Sequence, residues 1–263
     1  MTLEELQNGI VLPIDKPYQW TSFQAVNKVK AYIRHHWGLK KFKIGHAGTL
    51  DPLATGLLLV CVGKATKSIE TLQQGEKVYT GTMVLGATTP CFDLERAIDQ
   101  YYPTQHINAE LIELTRQKFL GDIPQVPPMF SAVKIAGQRA YEYARTDDPT
   151  VTIAPKNVHI ASFEITHYRK GNGEVPALPA PTSDEAAPTR NFYDNPQGAV
   201  PQGLPQIDFR IQCGKGTYIR SIARDFGVAL NSGAFLSVLR REQVGEYRIE
   251  NAITLDQLDL FFS

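Results

Sequence analysis

The sequence predicts an α+β fold, and three observations carry the prediction. Segments with helical spacing and segments with strand spacing alternate without the regular strand-helix-strand repeat of a doubly wound sheet. The hydrophobic content of 43% over 263 residues is enough for a sizeable core. No stretch approaches the ~18 uninterrupted apolar residues of a membrane span, and the start, MTLEELQNGIVLPIDKP, has no signal-peptide pattern. The expected location is the cytoplasm. Cys61, Cys91 and Cys213 are odd in number, far apart and without a CxxC pair, which fits buried thiols and gives no zinc pattern.

The first strong element is TSFQAVNKVKAYIRHHW, where Thr21 and Gln24 form a capping-box pattern and Phe23, Val26, Val29 and Ile33 fall near helical spacing. GLLLVCVG is short, apolar on both faces and bounded by glycines, so it reads as a buried strand. ATKSIETLQQG reads as a short helix stopped by Gly75. KVYTGTMVLG, VHIASFEITHY and DFRIQC read as strands. NAELIELTRQKFLG and TYIRSIARDFGVALN return to helical spacing, the latter through Ile219, Ile222, Ala223, Phe226 and Leu230. Residues 171–205 hold seven of the 17 prolines and few aliphatics, so they read as a flexible insertion between two strands. Residues 1–263 are expected to form a single domain carrying that insertion.

Lysines and arginines total 27, as do acids, so the global balance is silent on a polyanionic partner. Locally it is not. Between Asn27 and Leu50 there is no acid, while Lys28, Lys30, Arg34, Lys40, Lys41 and Lys43 are basic, with Tyr32, Trp37 and Phe42 among them. Such a run is either a solvated face or a phosphate-tracking surface with aromatic stacking partners. A second basic set comprises Lys215, Arg220, Arg224, Arg240 and Arg241.

Asp51 stands in GHAGTLDPLATG, among small residues and beside His46 and Thr49. Asp before Pro is a common turn device. Because Gly45, Ala47 and Gly48 let a planar ligand approach, the carboxylate could equally be a nucleophile, a general base or a cation ligand. A metal is the weakest option, since no second acid or suitably spaced histidine lies near. A carboxylate against a core needs a partner, and Arg220 in CGKGTYIRSIARDFG is the candidate.

GHAGTLDPLATGLLLVCVGKATK, IDKPYQWTSFQAVNKVK, KVYTGTMVLGATTPCFD, IPQVPPMFSAVKIAGQRAYEYAR and CGKGTYIRSIARDFG, taken together and in this order, resemble the TruB family of tRNA pseudouridine synthases. The resemblance runs from about Ile10 to about Leu258. It implies a mixed, largely antiparallel sheet flanked by helices. It implies Asp51 as the catalytic aspartate, Tyr79 as an active-site tyrosine and Arg220 as the arginine that pairs with the aspartate. His46 matches the histidine that holds the rearranged RNA loop, Lys16 and Pro17 a Lys-Pro pair beside the site, and Leu239 an apolar residue lining the pocket. Lys28, Lys40, Lys41 and Lys43 are the expected phosphate contacts. The implied substrate is the uridine at position 55 in the T loop of transfer RNA, taken by a monomer.

The implied reaction breaks the N1 to C1′ bond of uridine and rejoins C5 to C1′, with no redox change, so neither cofactor nor metal is expected. Asp51 would attack covalently or stabilise a cationic sugar, and the target base must leave its stack. Many bacterial relatives carry a C-terminal PUA-type domain after this region, and none is expected here. The alternative function is a tRNA-binding folding chaperone whose catalysis is secondary or lost.

Overall fold

The computed structural model describes residues 2–131, 153–172 and 200–262, with the backbone alone of 134–135 and 138–139. Of the expected insertion, residues 173–199 therefore lie outside the described residues, as does most of KIAGQRAYEYAR. The chain falls into two compact units, one of Met1–Thr80, Gln212–Lys215 and Leu239–Ser263, the other of Gly81–Ile211 and Gly216–Val238.

In the first unit, α1 (Leu3–Asn8) starts at a reciprocal Thr2–Glu5 capping box. In β1 (Ile10–Lys16), buried Leu12, Ile14 and Lys16 alternate with half-buried neighbours, the period of a strand with one covered face. Pro13 is tolerated there because β1 pairs laterally with β3 alone, and Ile253 partly covers its free edge, donating to the Pro13 carbonyl and accepting from Asp15. Helix α2 (Ser22–Trp37) has the expected Thr21–Gln24 capping box, ends at a left-handed Gly38 and buries Ala25, Val26, Val29 and Ile33. Phe23 departs from expectation. At 69% exposed it lies off the buried stripe, because it is turned about 100° round the helix from buried Ser22.

Strands β2 (Ile44–Ala47) and β3 (Thr55–Val62) are antiparallel, with Ala47 opposite Leu59. On its other edge β3 pairs antiparallel with β1, setting Lys16 opposite Gly56. A 3₁₀ turn (Gly63–Ser68) leads into α3 (Ile69–Gln74), which stops at Gly75, and β4 (Lys77–Leu85) then runs from the first unit into the second.

The second unit adds the hairpin β5 (Ala87–Thr88) and β6 (Gln100–Tyr101), α4 (Ala109–Gln117), β7 (Gly121–Gln125), the hairpin β8 (Lys134–Ile135) and β9 (Gln138–Arg139), and β10 (Lys156–Arg169). Next come β11 (Gln206–Cys213), α5 (Ile219–Ala229) and β12 (Ala234–Val244), and the first unit closes with β13 (Tyr247–Arg248) and α6 (Leu258–Phe262). The first unit has the strand order β1-β3-β12-β4-β11, with β2 on β3 and β13 on β12; the second has β12-β4-β11-β10-β7. The fold is α+β, as expected, and among the registers described β3 with β12 is the parallel exception. Phe119, Phe163 and Phe226 pack with tilted or edge-on rings inside the second unit. All three cysteines are buried, and none forms a disulfide.

One junction in the first unit positions the site. Along one edge of β3, β2 covers Leu59–Val62, and β12 takes over at Thr55 and Gly56, which face Arg240 and Arg241. The approach is close: Gly56 has φ +100°, and a Cβ there would stand 2.3 Å from the Arg241 carbonyl oxygen. Gly56→Ala is expected to cost at least ~2 kcal/mol, because strained φ and a backbone clash add together. Gly38→Ala, where φ is +64° but the space is open, is expected to cost about 1 kcal/mol. Urea midpoints of the two variants check the difference; equal midpoints would contradict the junction.

Candidate active site

Asp51 lies in the connection between β2 and β3, half-buried, its carbonyl accepting the Ala54 amide at 3.1 Å. Three elements of the first unit hold that connection. From the start of α2, the buried Ser22 hydroxyl accepts the Leu50 amide at 2.9 Å and donates to the Leu50 carbonyl at 3.1 Å. From the end of β1, Lys16 Nζ donates to the carbonyls of Trp20 at 2.6 Å, Pro17 at 3.0 Å and Pro52 at 3.3 Å. From β12, Arg241 donates through Nε to Leu57 at 2.8 Å, through Nη2 to Gly48 at 3.0 Å and through Nη1 to Thr49 at 3.4 Å.

Lys16 is 0% and Arg241 1% exposed, so two cations are buried around one carboxylate. Burial pushes the Lys16 ammonium down to about 8; Asp51 and Asp15 oppose the fall, and Arg241 adds to it. Burial is also the main reason the Tyr79 phenol is raised, against a lowering by the charge and hydrogen bonding of Arg241. Tyr79 therefore keeps its hydroxyl proton at neutral pH. His46, on β2, is held below its usual value first by burial and then by Arg241, with the Gly48 backbone opposing, so its ring is neutral at pH 7. Among these side chains Asp51 is the acid able to meet the two buried cations.

Leu239 stands two residues before Arg241 on β12, hence on the same face of the strand. Arg240 points the other way and forms a two-pronged pair with Asp15, at 2.8 and 3.1 Å. That pair lines a cavity of about 460 Å³ with Lys16, Pro17, Trp20, Lys28, Thr55, Thr254, Leu255 and Asp256. Lys28, Lys40, Lys41 and Lys43 are exposed. Two of the three aromatics interleaved with them, Tyr32 and Trp37, are engaged within the protein. Tyr32 stacks on His36 and Phe262, and Trp37 meets His36 and Phe262 edge-on, so both rings are engaged in fixing α6 to α2.

Arg220 belongs to the second unit, in the first turn of α5, and is 4% exposed, although its spacing placed it away from the apolar face. Its guanidinium donates to the carbonyls of Phe130 at 2.8 Å and Cys91 at 3.2 Å, and Nε stands 3.7 Å from the Asp93 carboxylate. Gln125 clamps the start of α5 by accepting the Tyr218 amide at 2.8 Å and donating to its carbonyl at 3.1 Å. Arg224 caps the Phe92 ring, at 5.3 Å, where Phe92 has φ +62°.

Of the residues the sequence singles out, the structure places Asp51, Tyr79, His46, Lys16, Pro17 and Leu239 in the first unit and Arg220 in the second; the sequence did not single out the Ser22 anchor or the inward-facing Arg241.

Residues 34–177 match the family model described as TruB family pseudouridylate synthase, N-terminal domain. The chain is 50% identical over 256 residues to a tRNA pseudouridine synthase B of Flavobacterium johnsoniae, covering 97% of this chain and 96% of that protein. It is 44% identical over 250 residues to one of Phocaeicola vulgatus, covering 95% and 92%. Among solved structures, a chain of a Cbf5-Nop10-Gar1 complex is similar with TM-score 0.63 and 26% identity, covering 100% of this chain and 57% of that chain. No helix among the described residues is long and apolar enough to cross a membrane, and none of their His, Cys, Asp and Glu side chains form a metal-binding group.

The buried ammonium gives a pH signature. Below pH 8 both folded and unfolded chains hold the Lys16 proton, and the cost of burying the charge is fully present. Between about 8 and the ordinary 10.5 the unfolded chain binds more protons, so stability rises with pH across that window. Lys16→Met should lack this rise, up to ~3 kcal/mol, in urea titrations at pH 7.5 and 10.5. Parallel pH profiles for the two proteins would refute the buried charge.

Proposed function

The chain belongs to the TruB family of pseudouridylate synthases, and from that premise we propose that it isomerises uridine to pseudouridine in tRNA with Asp51 as the catalytic carboxylate. The observation that carries this is the braced turn: Asp51 sits on a connection held from three elements, beside two buried cations and the protonated Tyr79 hydroxyl. A turn former alone needs none of that. An ionised carboxylate kept near cations in a partly dehydrated place is suited to meet the positive charge that develops on the sugar as N1 leaves C1′, or to attack covalently.

The proposed sequence of events follows from atom balance. The target uridine leaves its stack and enters the site; its N1 to C1′ bond breaks, the uracil turns, C5 bonds to C1′, C5 loses its proton and N1 gains one. Tyr79 offers its ring to the uracil, and its hydroxyl can donate a hydrogen bond or relay the proton. His46, neutral, can fill the space the base vacates without adding charge. Leu239 lines the pocket, and Pro17 stiffens the segment that Lys16 ties to the turn. Arg220 is proposed as the arginine that keeps Asp51 ionised and aimed. Its support is the match of KGTYIRS to the family and a guanidinium already fixed within its own unit by Cys91, Phe130 and Asp93.

The finer reading is position 55 of the T loop, approached through the T arm by a monomer in the cytoplasm, with both units serving one catalytic domain. The exposed Lys28, Lys40, Lys41 and Lys43 supply phosphate contacts.

Asp51→Asn keeps the shape of the turn and removes the charge. Pseudouridine formation on an unmodified tRNA transcript is expected to fall by at least ~1,000-fold, about 4 kcal/mol in the barrier. The Kd for tRNA and the circular dichroism spectrum should hold. Retained turnover would sink the assignment, and retained binding without turnover would also separate an isomerase from a folding chaperone, which has no need of the carboxylate.

For the basic surface, glutamine at each of Lys28, Lys40, Lys41 and Lys43 in turn should weaken tRNA binding and flatten the slope of log K against log salt by somewhat under one unit. Binding curves at several salt concentrations supply the slopes. If all four stay at the wild-type value, the run is only a solvated face.

A further inference from the structure

We propose that Arg241 is a positioning residue for Asp51, a buried guanidinium that ties the two limbs of the Asp51 connection together and thereby fixes the carboxylate. The inference rests on the reading of Asp51 as the reacting group. Gly48 and Thr49 precede Asp51 and Leu57 follows it, and one side chain donates to the carbonyls of all three. The planar fork reaches the three carbonyls through three separate nitrogens, whereas an ammonium has a single nitrogen to place.

The surrounding backbone packs closely on this residue. Gly48 has φ +94°, and a Cβ there would sit 3.5 Å from Nη1; Gly56 leaves no room between itself and the Arg241 backbone. Gly48 in the connection thus lies against the guanidinium, and Gly56 at the start of β3 lies against the Arg241 backbone. Its register fixes the height of the fork, since Arg241 is directly opposite Gly56 in the parallel β3–β12 pair.

The charge demands its own account. Three bonds of this fully buried guanidinium run to neutral carbonyls, and a carbonyl repays less of the lost hydration than a carboxylate does. A neutral glutamine could make two such bonds at lower cost. The cost has a return if the charge serves the one acid on the turn it braces. Its field reaches that neighbourhood, acting on Lys16, His46 and Tyr79 alike. Arg241 thus has two separable tasks, bracing by geometry and neutralising by charge.

Two variants separate positioning from folding. In Arg241→Lys the charge stays and the fork is lost; in Arg241→Ala both go. With enzyme in excess over an unmodified tRNA transcript, the single-turnover rate is expected to fall at least 100-fold in both, with Kd within threefold of wild type and a cooperative melt. Methylguanidinium at tens of millimolar should restore at least tenfold of the Ala variant's rate, while N-methylurea, similar in shape and neutral, should not. The proposal is overturned by a rate within threefold of wild type, by rate and Kd falling in step, by equal rescue from the urea, or by loss of folding in both variants. Asp51→Asn is measured beside them. If it is inactive while the Arg241 variants turn over normally, only the role of Arg241 falls; if it retains turnover, the reading of Asp51 falls and this inference with it.

Discussion

The grip on the connection between β2 and β3 is the constraint on which the rest of the site depends. The connection carries Asp51, and a free loop could not hold its carboxylate to the fraction of an ångström that chemistry requires. The strand order supplies the remedy. Where β2 ends, β12 takes its place along β3, and that handover puts Arg241 beside the turn. Ser22 reaches the same turn from the first residue of α2, and Lys16 from the last residue of β1. Each anchor sits at an element's end or at a strand junction, where backbone direction is fixed and side chains can still reach into a loop.

Burial then sorts the protons. Lys16 is pushed down to about 8, while His46 and Tyr79 are held neutral, and desolvation is the largest cause for each of the three. Negative charge on this turn is therefore left to Asp51. Charge is thus concentrated at a few buried positions although the chain as a whole balances 27 basic against 27 acidic residues. The overall balance and the local one answer different questions, the first about colloidal behaviour and the second about chemistry.

The legible part of the sequence was where one residue pattern serves one purpose. Thr21 with Gln24 announced the start of α2, and the glycine-bounded run through Leu57 and Val60 announced β3. Strand β12 was not read, because the adjacent Arg240 and Arg241 hide its alternation; one pairs with Asp15 at the cavity and the other is buried. Strand β1 was missed because Pro13 argues against a strand unless the strand lies at an edge. Aromatic residues misled in the opposite direction. Tyr32 and Trp37 sit among lysines as an RNA-stacking pattern would have them, yet Phe262, more than two hundred residues away in sequence, occupies both. Contacts of that separation leave no trace in local spacing. Asp51 stood out because its neighbours are small, and at Gly45 that smallness answers to the close approach of Ile69.

The arrangement also explains why the site must work against stability. Replacing either buried cation by an apolar side chain of similar volume removes a desolvation cost and need not weaken the fold. Such a change would leave Asp51 with less positive charge around it and a turn joined to fewer neighbours. Gly48 and Gly56 add to the same account, since both hold positive φ and Gly56 forgoes a side chain to admit the Arg241 backbone. Strain, buried charge and missing side chains thus fall on one connection, while the apolar clusters of each unit follow ordinary packing, as with Ala47, Leu57, Leu59 and Val244 in the first. A segment maintained at that cost within an otherwise ordinary core is where the chemistry should be sought.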